Sequence, residues 1–523
     1  MSIAMRKLAK QAAGVAPANE QIVIGKDILE LVSSSMYVDP MTIYREYVQN
    51  AADAIDEARG ASLLRPDEAG VVEIGFDLPS RTIRIRDNGI GVGWDRFVRT
   101  LVGLGGSAKR GTQARGFRGV GRLAGLGYAQ ELVFRSRIEG ETQVSELRWD
   151  CRQLKSLLRS SEFAGGVAEL IGQVATVAQV PADDETPKRF FEVELRGVVR
   201  LRSDRLFTPA AVSQYLSQVA PVPFSPEFSF GPEISTAMRT VMSPADLHVF
   251  VAGSTDPLYR PHRDTFDAGN GRMLPYENVE IRQVPDMDGE PAALVWVLHH
   301  AYEGAIPAAN LVKGMRLRAG DVQVGEGTSL EELFAEQRFN SWSVGEVHVL
   351  DRRIVPNGRR DDFEQNAHLG NLLNQLSPIT REISRRCRSN SIRRNWVRRF
   401  ELAETDVRES LETLRHGAMG GADRSNVEKS AEALLREMDR IATNPILIDD
   451  ADALVRTAEG LRAELVAMVG DAETDSSPLA SIPRAERANY ERMFELIYEC
   501  SVNRVAARKL IERIVSKVTE VTD

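Results

Sequence analysis

Two short alternating runs, VVEIGFDL (71–78) and TIRIR (82–86), adjoin across Leu78-Pro79-Ser80-Arg81 and constrain the chain more than any other feature. A period of two puts one face of each run in a core and the other in solvent. The short joint makes the pair an antiparallel hairpin. Ile83 and Ile85 hold the buried phase, and Asp87 falls in that same phase. The strand therefore ends by turning a carboxylate inward, which is costly unless hydrogen bonds satisfy it. Gly89, Gly91 and Gly93 follow, as suits a tight loop that another group approaches closely. A plain Asp-Asn-Gly turn is the alternative.

Two further segments carry chemistry. In YREYVQNAADAIDEAR (44–59), Glu46, Asn50 and Asp53 stand at i, i+4 and i+7. A helix lines them along one face, while small alanines let it pack closely. A solvated polar stripe is the bland alternative. In GLGGSAKRGTQARGFRGVGRLAGLG (103–127), nine of 25 residues are glycine. Such a segment suits a loop ordered over a ligand, and backbone N–H groups at a helix start suit phosphates. No GK[ST] is present, so it is not a P-loop, and no strand leads directly into it as a dinucleotide fingerprint requires.

Taken in order, the three segments resemble the GHKL ATPases, among them gyrase-type topoisomerases, heat shock protein 90 chaperones, histidine kinases and the MutL family. The family pattern E-x-x-x-N-x-x-D-A matches Glu46, Asn50, Asp53 and Ala54. D-x-G-x-G matches Asp87, Gly89 and Gly91, and G-x-x-G-x-G matches Gly116, Gly119 and Gly121, with Val120 between the last two. The resemblance implies a Bergerat-type α/β sandwich that binds ATP with Mg²⁺. It implies that Asp87 accepts the adenine amino group and that Asp53 supports that end of the pocket. Asn50 would bind the Mg²⁺ that bridges the phosphates, and Glu46 would orient and deprotonate the attacking water. Lys109 either reaches a phosphate or is a solvated lysine on the loop.

A second resemblance lies at VGEVHVLDRRIVPNGRRDDFE (344–364). It is similar to the chaperone middle domain, where a strand is followed by a loop L-P-L-N-x-S-R-E whose arginine reaches the γ-phosphate. Pro356, Asn357, Arg360 and Asp361 fall in matching places, so the resemblance makes Arg360 the phosphate-sensing residue, with Arg359 its neighbour. The alternative is a solvated basic edge of Arg352, Arg353, Arg359 and Arg360 paired with Asp361 and Asp362.

The expected class is α+β multidomain. Residues 1–224 would form the nucleotide domain, with helices over 25–35, 41–59 and 207–220 and strands over 71–78, 81–86, 130–138, 143–149 and 190–197. PVPFSPEFSFGPE (221–233) breaks the pattern, and 225–378 would form an α/β middle domain. Residues 379–523 would be all-helical, their apolar seams joining two protomers. The function these resemblances imply would be an ATP-hydrolysing dimeric clamp like a heat shock protein 90 chaperone, with protein clients. An ATP-switched DNA clamp of the MutL or MORC kind is the alternative.

Composition excludes other classes. With 66 basic and 75 acidic residues the chain carries a net charge of −9, which argues against bulk nucleic-acid binding. RRCRSNSIRRNWVRRF (385–400), with seven arginines, keeps a local contact open. No apolar run reaches membrane-span length, and without a signal segment the expected compartment is cytoplasmic. Cys151, Cys387 and Cys500 lie far apart and read as inert thiols of a reducing compartment. The paired His299-His300 and His348 sit in strand-like runs and read as packing groups, so no zinc site is expected.

Overall fold

A computed structural model describes residues 26, 29, 39–65, 67–103, 121–160, 163, 165–200, 203–415, 421–470, 479, 482–501 and 504–520. Apart from residues 26 and 29, the expected helix over 25–35 lies outside the described residues, as does the stretch 104–120. The chain divides into two compact units, Met1–Ser384 and Arg385–Asp523.

The first unit opens on helix α1 (Thr42–Gly60), followed by the hairpin of β1 (Gly70–Asp77) and β2 (Thr82–Asp87). Next come α2 (Trp94–Val102), β3 (Glu131–Arg137), β4 (Gln143–Asp150), α3 (Cys151–Arg159), α4 (Val167–Val174), β5 (Ala175–Pro181), β6 (Phe190–Arg196) and α5 (Pro209–Val219). The hairpin forms as its alternation requires, with Ile85 opposite Ile74 and Thr82 opposite Asp77. One sheet face is apolar: Ile83, Ile85, Val193, Leu195, Leu132 and Phe134 are buried in one core with α1. The opposite face is a ladder of ion pairs, in which Arg86 meets Glu192 at 2.7 Å and Arg135 meets Glu194 at 3.2 Å. Charged side chains shield that face, so one helical layer suffices to bury the sheet.

Past residue 224 lie α6 (Gly231–Val241) and β7 (Leu247–Val251). β7 pairs in parallel with β1, giving a seven-stranded sheet in the order β5-β4-β3-β6-β2-β1-β7. The first sheet thus takes a strand from beyond the proline-rich break. After a small hairpin of β8 (Thr265–Asp267) and β9 (Met273–Pro275) comes the second sheet. It is built from β10 (Asn278–Pro285), β11 (Pro291–His299), β12 (Gly314–Ala319), β13 (Val322–Val324) and β14 (Val344–Val349), in the order β10-β11-β14-β12-β13. The break itself packs on this sheet, since the Phe224 and Trp296 rings lie 5.9 Å apart.

Beneath that contact lies a buried polar network. Glu346 takes Arg260 at 2.5 Å and Arg318 at 2.6 Å, and none of the three is more than 3% exposed. Burial disfavours the Glu346 charge, but the two guanidiniums outweigh it and hold the carboxyl well below its usual range. Arg260 also donates to Val222 O at 2.9 Å, and Arg318 donates to Gln218 O at 2.7 Å. These bonds tie the end of α5 and the following segment to β12 and β14.

Burial pushes His262 down to about 3 and His300 down to about 4, and lowers His348 as well. His262 and His300 stay neutral in the fold where the unfolded chain protonates, near pH 6.5. Stability is therefore expected to fall as pH drops below about 6.5, by up to about 1.4 kcal/mol per pH unit for each of these two histidines. Thermal unfolding between pH 7.5 and about 5 measures this, and His262→Phe should flatten the slope. A pH-independent midpoint across that window would contradict it.

The end of α7 (Ala367–Arg415), α8 (Gly421–Ala442) and α9 (Ala451–Gly470) build the core of the second unit, with α10 (Arg484–Cys500) and α11 (Arg504–Glu520) after them. Phe400, Val407, Leu411, Met438, Ile441 and Leu461 are buried in one cluster. Much of the apolar seam expected to join protomers is thus used within one chain. Cys151 and Cys387 are buried, which pushes each thiol up to about 12, whereas Cys500 is exposed. Among the described residues, no helix is long and apolar enough to cross a membrane.

Candidate functional site

The site begins on α1. Its first turns are almost wholly buried, and Glu46 and Asp53 are only 6% and 3% exposed, with Asn50 half-buried between them. Asp87 closes β2 at 5% exposure, opposite Val72 of β1 and Phe191 of β6. Its Oδ1 accepts the Gly89 N–H at 2.8 Å, so the loop itself orients the carboxylate.

The glycine loop is fastened to α1. The Ile90 N–H donates to Ala54 O at 3.0 Å. A Cβ at Gly89 would stand 2.7 Å from the Ala54 backbone, so only glycine fits there. Gly91 adopts φ +72°, the left-handed region. Two groups not anticipated from sequence hold the loop from behind. Arg189 donates to the carbonyls of Asn88 (3.0 Å) and Gly89 (2.8 Å), and Ser136 Oγ accepts the Val92 N–H at 2.7 Å. Arg189 sits in the polar stretch ETPKRFF, where nothing marks one arginine as structural. Ser136 had a signal, being the polar residue in the buried phase of β3.

Gly121 opens a short 3-10 helix, Gly121–Gly127, on the far side. A methyl at Gly121 would run into the Glu46 carboxylate, so glycine lets that backbone lie directly on the acid. Tyr47, next along α1, fixes the segment: its hydroxyl donates to Arg122 O at 3.1 Å and accepts the Gly125 N–H at 3.0 Å. Lys109, Gly116, Gly119 and Val120 lie outside the described residues.

The remaining candidate comes from far along the chain. Arg360 Nε lies 3.4 Å from Glu46 Oε1, and Arg360 is only 8% exposed. Arg45 approaches the same oxygen at 3.4 Å and donates to Arg359 O at 3.2 Å. Two guanidiniums therefore hold the Glu46 carboxylate. Arg45 was not singled out from sequence, and only the fold shows that it is buried along with the rest of 41–49. The solvated-edge alternative fits Arg353, which pairs with Asp286, Asp288 and Asp351. It does not fit Arg360.

The inward acid Asp87 ends β2 beside the glycine loop, and on α1 the Glu46 carboxylate stands against two arginines. Asn50, with one amide oxygen on the same helix face, could ligate Mg²⁺ held mainly by phosphates. Gln49 beside it is buried, and its amide atoms make no hydrogen bond among the described residues.

No family model matches the chain. It is 28% identical over 207 residues to a Chaperone protein HtpG of Bordetella pertussis, covering 36% of this chain and 31% of that protein. It is 33% identical over 208 residues to the Chaperone protein HtpG of Streptomyces coelicolor, covering 35% and 31%. For that of Aromatoleum aromaticum the identity is 26% over 220 residues, covering 38% and 33%. The chain spans about a third of the length of the curated relatives it matches. With the nucleotide-type motifs in their order on one helix, one hairpin and one glycine segment, the chain is a relative of the HtpG chaperones, of the heat shock protein 90 type.

Proposed function

We propose that this chain binds ATP with Mg²⁺ and hydrolyses it slowly, as a dimeric clamp acting on protein clients in the cytoplasm. The observation that carries the reading is the meeting of Glu46 and Arg360, which lie more than 300 residues apart in sequence yet 3.4 Å apart in the fold. A general base and a guanidinium side by side suit phosphoryl transfer to water. The carboxylate orients and deprotonates the water, and the guanidinium stabilises charge on the γ-phosphoryl oxygens. Asp87 would read the adenine amino group, Asp53 would support it, and Asn50 would hold the Mg²⁺. Residues 1–224 would serve as the nucleotide domain, 225–378 as the relay bearing Arg360, and 379–523 as the assembly domain. Lys109 and the glycine segment through Gly116, Gly119 and Val120 would close over the phosphates. The relatives' name favours a chaperone over a DNA clamp. The arginine-rich helix offers the latter little, because Arg393 and Arg399 pair with Asp450 and Glu437.

The test is Arg360→Ala in the intact chain. Turnover should fall by about 10³-fold, the worth of an arginine acting on a transferring phosphoryl group, while ATP affinity by calorimetry stays within a few-fold. Unchanged turnover would remove Arg360 from the chemistry.

A further inference from the structure

We infer that Gln323 and Arg316 are positioning residues for Arg360, setting the backbone from which its guanidinium reaches Glu46. The inference borrows from the proposed function only what Arg360 does once it is placed. Arg360 has φ +57°, in the left-handed region, which a non-glycine residue keeps only when its surroundings impose it.

The imposing contacts can be followed bond by bond. Arg360 donates its N–H to Asn357 O at 3.2 Å, and its own carbonyl accepts the Gly325 N–H at 2.9 Å. Gly325 is itself at φ +69°, and a Cβ there would stand 2.8 Å from Asp361 O. The Gly325 carbonyl accepts Gln323 Nε2 at 2.9 Å, and Gln323 Oε1 accepts Arg316 at 3.1 Å. Arg316 in turn donates to Leu311 O at 2.7 Å and to Gln218 Oε1 on α5 at 3.1 Å. A continuous path therefore runs from α5 to the carboxylate of Glu46.

The two side chains at the middle of the path are buried, while Gln218 and Gly325 are half-buried. Gln323 is 5% exposed and Arg316 is 7% exposed. Gln323 stands between Val322 and Val324 on a strand whose three residues are all buried. Packing alone would be served by an aliphatic side chain, and a buried amide is costly unless both its ends are bonded. Here both ends are bonded, one to Arg316 and one to the turn that holds Arg360. Burial pulls Arg316 down to about 10, which still leaves it charged at neutral pH. Because α5 follows directly on the first sheet and its Gln218 holds Arg316, a shift of that helix would be passed to Arg360.

Gln323→Leu keeps the volume and removes both bonds. Gln323→Glu keeps the acceptor for Arg316 but cannot donate to Gly325 O, and it serves if the leucine variant does not fold. Two readouts on the intact chain separate the claims. Amide hydrogen exchange over 356–363 should accelerate at least about tenfold, with α1 and the β1–β2 hairpin unchanged. Turnover of Mg·ATP should fall about tenfold or more at unchanged KM, as a small misplacement of a charge-stabilising group costs. The same change in an Arg360→Ala background should cost nothing further. Unchanged exchange, or an equal loss in both backgrounds, would overturn the positioning role. Faster exchange in a chain that releases no phosphate would leave the positioning standing and overturn the hydrolase reading instead.

Discussion

Replacing Glu46 with alanine is expected to stop hydrolysis while nucleotide still binds. The acid is 6% exposed, held by Arg45 and Arg360 and covered by the backbone at Gly121. On the proposed reading this carboxylate would meet the water and the γ-phosphate and not the adenine, so its loss should leave affinity within a few-fold. Removing a positioned general base costs on the order of 10²–10⁴ in rate. Glu46→Gln is the sharper variant, since it keeps the shape and an acceptor for the arginines yet cannot take a proton. Turnover by either variant equal to that of the parent would remove Glu46 from the mechanism.

Asp87→Asn is expected to lose nucleotide. The Asp87 carboxylate is buried, and Oδ1 is engaged by the Gly89 N–H. An adenine amino group is a donor and needs an acceptor from this side chain. Asparagine offers an NH₂ donor in place of one oxygen, so two donors would face each other or the loop would lose its Gly89 bond. Losing a charge-assisted bond and leaving its partner unsatisfied costs about 3 kcal/mol, or at least about a hundredfold in Kd. Micromolar ATP binding retained by the variant in calorimetry would count against this pocket.

The first sheet was legible because its strands carry strict alternation. Ile83, Ile85 and Asp87 lie in one phase, and the expected strand over 71–78 is Gly70–Asp77 in the fold. β5 was missed: nearly all of ATVAQVP is exposed, so no buried phase marks it. The parallel pairing of β7 with β1 was invisible for another reason, because strand patterns carry no information about partners far along the chain. Distance in sequence also hid the bonds that Arg189 makes to the Asn88 and Gly89 carbonyls. Glu46 and Arg360 were each marked by family pattern, but their 3.4 Å approach needed the fold, since it depends on how the loop 356–363 is held. Past residue 379 the described elements are helices, as expected, and only packing could show that apolar seams such as Phe400, Val407 and Leu411 close within one chain.

The most direct measurement is phosphate release from Mg·ATP by the intact chain, run beside Glu46→Gln at saturating nucleotide. Slow release by the parent and none by the variant, with both binding ATP alike, is the expected result. No release by the parent, or release that continues without the Glu46 carboxylate, would contradict the assignment of this site to ATP hydrolysis.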